Sequence, residues 1–115
     1  MEEISINEYI RTDKGNIGKL VRIRKCSDKE INELIDVYFL DNGLWTIKKY
    51  IVNHSKNIID LIEVGDYVNG KEVYSIGTSI GDFPIISYKD GTFDIDTNIK
   101  SIVTKEQYKS VEYQF

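Results

Sequence analysis

Alanine is missing from this chain of 115 residues, and cysteine, histidine, proline and tryptophan occur once each. A lone Cys26 excludes an internal disulfide, and Cys26 with the single His54 cannot supply the four ligands of a structural zinc site. No long apolar run is present, and Met1-Glu2-Glu3 lacks the basic start and apolar middle of a secretory signal. A cytoplasmic protein without a membrane partner is therefore expected. There is no Gly-x-Gly-x-x-Gly, no Gly-Lys-Ser/Thr loop and no Gly-x-Ser-x-Gly elbow, so no nucleotide cradle or esterase-like nucleophile is read. The expectation is a protein that is not an enzyme and carries neither cofactor nor metal.

What is present leans towards sheet. Losing alanine removes the best helix former, while abundant Ile and Tyr favour pleated surfaces. Lys outnumbers Arg twelve to three, which, with the plentiful Ile, Asn and Tyr, is the bias of an AT-rich genome. Apolar residues at 41% and charged residues at 30%, without low-complexity runs, fit a globular protein. The length suits a single domain, 1–115, around one core.

Along the chain, Ser5-x-x-Glu8 has the spacing of a capping box and predicts a short helix over residues 6–11. "NIGKLVRIRKC", residues 16–26, alternates as a strand does. Asn42-Gly43 between two β-branched and aromatic runs predicts a type I′ hairpin, with Trp45, Ile47 and Ile51 on one face of the return strand.

The stretch "NIIDLIEVGDYVNGKEVYSI" reads as a corner: a helical knot capped by Asn57, a left-handed Gly65, then a tight reversal at Asn69-Gly70. Asp90-Gly91 predicts a third hairpin with Phe93 and Ile95 opposite Thr92, Asp94 and Asp96. Pro84 suits a strand start. Thr104-x-x-Gln107 predicts a helix at "KEQYKSV". The sum is a mainly β (α+β) fold: a small antiparallel sheet or SH3-like barrel of about six strands with two or three short helices. "DKGNIGKLVRI" and "VNGKEVYSI" share a faint likeness that would suit two half-barrels.

Chemistry-bearing residues are few. His54 in "NHSKN" reads as an exposed loop histidine. Cys26 beside Arg24 and Lys25 could be activated, but unpaired cysteines are ordinarily small apolar groups. Asp90, Asp94 and Asp96 are too sparse for a calcium loop and are expected to face solvent and guard an edge. Trp45 and Tyr50 suit either a core or an interface.

Charge is unevenly spread: residues 11–29 are rich in Arg and Lys, while residues 60–96 hold eight acids against Lys71 and Lys89. Arg22, Arg24 and Lys25 could track a nucleic-acid backbone, although a net charge of −4 is opposite to the usual footprint of such binders. The acidic half could mimic phosphate in a basic groove of a partner protein.

"EYIRTDKGNIGK", "DNGLWTIKKYIVNHSKNIIDLIEVGDYVNG" and "IKSIVTKEQYKSVEY" together resemble a group of small uncharacterised proteins encoded by phages and prophages of AT-rich Gram-positive bacteria of the clostridial type. The resemblance implies a mobile-element setting in a bacterial host cell and carries no catalytic residue. The leading expectation is a non-catalytic binding protein that engages a host or phage protein complex, for example as an anti-defence inhibitor of a CRISPR-type nuclease. Its binding surface would draw on Arg22, Arg24, Lys25, Trp45, Tyr50, Asp90, Asp94 and Asp96. The alternatives are a small nucleic-acid-binding barrel and a homo-oligomeric sponge for a signalling nucleotide.

Overall fold

The β-branched and aromatic runs form strands, and strands take up about half of the residues that the computed structural model describes, 3–28, 33–78 and 81–111. The fold is mainly β. Contacts cluster into two compact units, Met1–Asn57 and Ile58–Phe115.

Unit 1 holds β1 (Tyr9–Thr12), β2 (Ile17–Asp28), β3 (Glu33–Leu40) and β4 (Trp45–Ile47). A 3-10 turn (Lys48–Tyr50) and β5 (Ile51–Ser55) follow. Its antiparallel strands lie in the order β4-β3-β2-β1-β5. Unit 2 opens with a 3-10 turn (Ile58–Leu61), followed by β6 (Tyr67–Val68), β7 (Lys71–Thr78), β8 (Pro84–Tyr88) and β9 (Phe93–Ile95). It ends with a 3-10 turn (Asp96–Asn98), β10 (Ile102–Val103) and the helix α1 (Lys105–Val111). Its order is β9-β8-β7-β6-β10. Strand for strand, this is the topology of unit 1.

The repeat extends to individual bonds. Leu20 N–H donates to the Glu8 carbonyl at 2.8 Å, as Val73 N–H does to Asp66 at 2.8 Å. Asn7 N–H donates to Leu20 as Gly65 N–H does to Val73, and Asn7 and Gly65 both have positive φ, 75° and 97°. Each β2-type strand then skips one residue in its register, Val21 in one and Tyr74 in the other. These are bulges, and they bend the hairpins beyond them.

Each unit buries its own cluster. Ile4, Ile10, Leu20, Tyr38, Leu40 and Ile51 form the first. Ile62, Val68, Val73, Ile86 and Tyr88 form the second with Ile59, and Ile99 packs against it. Among the described residues the two clusters have nearly matching patterns.

Several expectations are corrected. Among the described residues ten strands replace about six, and neither row of strands closes into a barrel. The helix over 6–11 is absent: the Glu8 carboxylate does accept the Ser5 N–H, but Asn7 at φ 75° turns the chain out of helical geometry and into β1. The Asn42-Gly43 hairpin exists without type I′ geometry, because only Gly43 takes positive φ and Leu40 pairs with Leu44 across a three-residue loop. The I′ conformation belongs to Asn69-Gly70, φ 53° and 81°. Trp45 and Ile51 do not share a face, since the 3-10 turn between them leaves Trp45 exposed and Ile51 buried.

Positive φ at Gly65 and the tight reversal at Asn69-Gly70, Pro84 at a strand start and the C-terminal helix are as read, while the knot before them is a 3-10 turn, Ile58–Leu61, that ends short of Gly65. Thr104 and Gln107 exchange both capping-box bonds at 3.3 Å. The closing "EYQF" lies outside the described residues.

Candidate functional site

Each unit hangs its first turn on a buried carboxylate. In unit 2, Asp66 is fully buried and accepts the Glu63 N–H at 2.8 Å and the Lys105 N–H at 2.9 Å. In unit 1 the equivalent Glu8 accepts the Ser5 N–H and lies 3.0 Å from the His54 Nδ1. Glu8 is thereby held below the usual carboxylate range, first by the Ser5 amide and then by the His54 ring. His54 is therefore no exposed loop residue: it sits in β5 opposite Ile10, with its side chain 11% exposed. These groups are structural fasteners of the β1-type corner.

Unit 1 presents aromatic and basic side chains together. Register places Arg22 on β2 opposite Phe39 on β3, and Phe39 opposite Trp45 on β4. The Arg22 guanidinium lies 4.5 Å from the Phe39 ring centre, within cation–π range. Arg24 follows, exposed, while Lys25 is ion-paired to Asp36 at 3.5 Å.

Trp45 is 64% exposed and Tyr50 42%, which excludes both from the core. They line one groove of about 510 Å³ with Asp13, Lys14, Ile35 and Ile47. Lys49 stands 4.9 Å over the Tyr50 ring.

In unit 2 the equivalent cross-strand row is Ser75, Ser87 and Phe93. Two serines stand where unit 1 has Arg22 and Phe39, and a trough of about 570 Å³ opens along Tyr74, Ser75, Ser87 and Lys89. Phe93 is 64% and Tyr74 66% exposed.

Asp90 and Asp94 do not face solvent side by side, and the Asp96 side chain lies outside the described residues. Asp94 turns to the core side, accepting the Tyr88 hydroxyl at 2.6 Å and the Asn69 amide at 3.1 Å. That lowers the Asp94 carboxyl, while burial, then the Asp94 bond, pushes the Tyr88 phenol up. The correction has a simple cause: the buried Tyr88 hydroxyl needs an acceptor. Asp90 instead caps its own turn through the Thr92 N–H and hydroxyl and pairs with Lys71 at 3.3 Å. Asp96 opens the following 3-10 turn. The oxygens of Asp90 and Asp94 are thus aimed at separate partners and not at one cation.

The candidate binding residues consequently fall into separate places. Arg22 and Trp45 share a row and Trp45 shares a groove with Tyr50, whereas the aspartates belong to unit 2. Sequence reading missed Phe39, Tyr74 and Phe93. The spacing that could have found the last is constant: Gly43 and Gly91, Trp45 and Phe93, Ile47 and Ile95, and Ile51 and Ile99 are all 48 residues apart. No protein-family model, curated protein or solved structure matches this chain. Among the described residues no helix is long and apolar enough to cross a membrane.

Proposed function

We propose that the chain is a non-catalytic binding protein that engages a host or phage protein complex, acting as an anti-defence inhibitor of an immune assembly such as a CRISPR-type nuclease. One observation carries the reading: Tyr74 and Phe93 are open to solvent on a unit with ten Asp and Glu against five Lys and Arg. Exposed aromatic anchors on an acidic ground suit a basic surface of a partner, where the rings supply burial and the carboxylates take the place of phosphates. The phage or prophage setting and the host cytoplasm come from the resemblance of the sequence. In the same reading each unit is an SH3-like module. Support for that comes from four consecutive antiparallel strands, a 3-10 turn and a fifth strand returning beside the first.

The test is phage plating on a strain with an active CRISPR-type nuclease, with and without the chain, together with binding to the purified nuclease complex. The wild type should restore plating and bind. Tyr74→Ala with Phe93→Ala should weaken binding at least tenfold while leaving the fold intact. A wild type that neither protects nor binds, or a double variant that binds as well as the wild type, would overturn the proposal.

A further inference from the structure

We infer that the Arg22 face of unit 1 is a binding site for single-stranded nucleic acid. The row Arg22, Phe39 and Trp45 spans three adjacent strands, so a guanidinium, a phenyl ring and an indole stand side by side. Arg24 extends the row's charge along β2, and the exposed Lys48 and Lys49 follow directly after β4. Past Trp45, the groove leads to Tyr50 and Lys14. Five cations, Lys14, Arg22, Arg24, Lys48 and Lys49, therefore flank two exposed rings, Trp45 and Tyr50, while the half-buried Phe39 ring supports the Arg22 guanidinium. The carboxylates on the same elements are Asp13, at the groove, Asp36, already paired with Lys25, and Asp28 and Glu33, which face each other at the far end of the β2–β3 pair, four residues beyond Arg24.

Cations that track phosphates, interleaved with open rings on which bases stack, are what a flexible single strand needs. A duplex keeps its base faces inside the stack and could use only the cations. An acidic protein could also pair with the cations and bury the indole as an anchor, so polyglutamate serves as its competitor in the titration. The comparison within the chain points the same way: at the equivalent row unit 2 has Ser75, Ser87 and Phe93, with no cation among them. Trp45 is also the only tryptophan, so its emission reports from the site itself.

The experiment is a titration of the full chain with an oligothymidylate of about twelve nucleotides, a length within the range such sites cover. Trp45 emission should be quenched. With about three phosphates contacted, affinity should fall about twentyfold between 50 and 200 mM salt. Arg22→Ala with Arg24→Ala should flatten that salt dependence, and lysine at both positions should largely restore it. Trp45→Ala, followed by anisotropy of a labelled oligonucleotide, should weaken binding about tenfold. Ser87→Ala in unit 2 should change nothing.

No quench at low salt would overturn the inference, as would binding indifferent to both the arginine and the tryptophan variants. Equal affinity for duplex of the same length, or full displacement by polyglutamate at equal charge, would also overturn it. The inhibitor reading stands or falls separately, because the plating test draws on Tyr74 and Phe93.

Discussion

Units 1 and 2 share one strand order and one set of corner bonds, yet their faces have diverged. Unit 1 carries ten Lys and Arg against nine Asp and Glu, and unit 2 five against ten. At one row the same backbone presents Arg22, Phe39 and Trp45 in the first unit and Ser75, Ser87 and Phe93 in the second. The contrast separates two kinds of position. Ile10 and Val68, or Leu20 and Val73, stay apolar because a five-stranded sheet of this order must be closed off from water on one side. The other side is free to change, and function is argued from it.

The largest test of this comparison removes core. Leu20→Ala should cost about 3 kcal/mol and Val73→Ala about 2 kcal/mol. Hydrogen exchange on Leu20→Ala should show lost protection at residues 9–12 and 51–55 and retained protection at 67–78 and 84–88. Equal loss in both units would mean that they do not open separately.

Next come the fasteners. Asp66→Asn sets an amide NH2 against one of two backbone N–H donors and should cost about 2 kcal/mol, whereas Glu8→Gln, which keeps an acceptor for Ser5, should cost about 1 kcal/mol. Urea midpoints of the two variants would give the order, and a larger loss for Glu8→Gln would break the equivalence drawn here.

The third test is pH. Glu8 has a folded pKa below its ordinary value of 4.5, so the unfolded chain takes up its proton first. Its stabilisation is present above 4.5 and fades as pH falls through the lowered value. The stability gap between wild type and Glu8→Gln should therefore shrink on acidification below 4.5. A gap that stays constant to lower pH would refute the role given to the Ser5 and His54 bonds.

The smallest test concerns the pairs at the start of each sheet. Lys19 stands 5.3 Å over the Tyr9 ring, while the equivalent Tyr67 donates its hydroxyl to Glu72 at 3.0 Å and stacks on Tyr108. The Glu72 bond, then Tyr108, pushes Tyr67 up to about 12. Its phenol should remain protonated well past 10 in an absorbance titration, and Glu72→Gln should bring that ionisation down. Lys19→Glu, which removes only the cation from the Tyr9 ring, should change thermal stability little.

How far the sequence reveals this depends on the residue. Asn69-Gly70 and Gly65 were legible because positive φ is a local demand that few residues meet. Ser5-x-x-Glu8 was misleading for a local reason too: its main-chain bonding is that of Glu63 and Asp66, yet without a glycine at position 7 it has the letters of a helix start. The Asn42-Gly43 turn was located but mistyped, because the Asn42 side chain bonds the Leu44 N–H and the Ile17 carbonyl and holds that residue out of positive φ. Gly18 could not be interpreted from the letters at all. Only the fold shows that a Cβ there would come within 2.9 Å of the Leu40 Cβ. Asp94 was assigned to the wrong side because alternation does not reveal that Tyr88 is waiting for an acceptor. Trp45 was undecidable by period, since an edge strand of three residues has too little pattern to show which side is wet.

The unequal partners of the two buried carboxylates bear on how a duplicated topology avoids exchanging strands. β5 and β10 return antiparallel beside strands with nearly the same letters, Tyr9-Ile10 and Tyr67-Val68, so cross-pairing between repeats is a built-in hazard of folding. A β10 laid on β1 would bring Ile102 where Glu8 meets an imidazole, and a β5 laid on β6 would bring His54 to a carboxylate whose second oxygen is shaped for the amide of Lys105. The first exchange takes the imidazole from Glu8 and the second takes the Lys105 amide from Asp66, so each returning strand fits its own half of the chain better than the other.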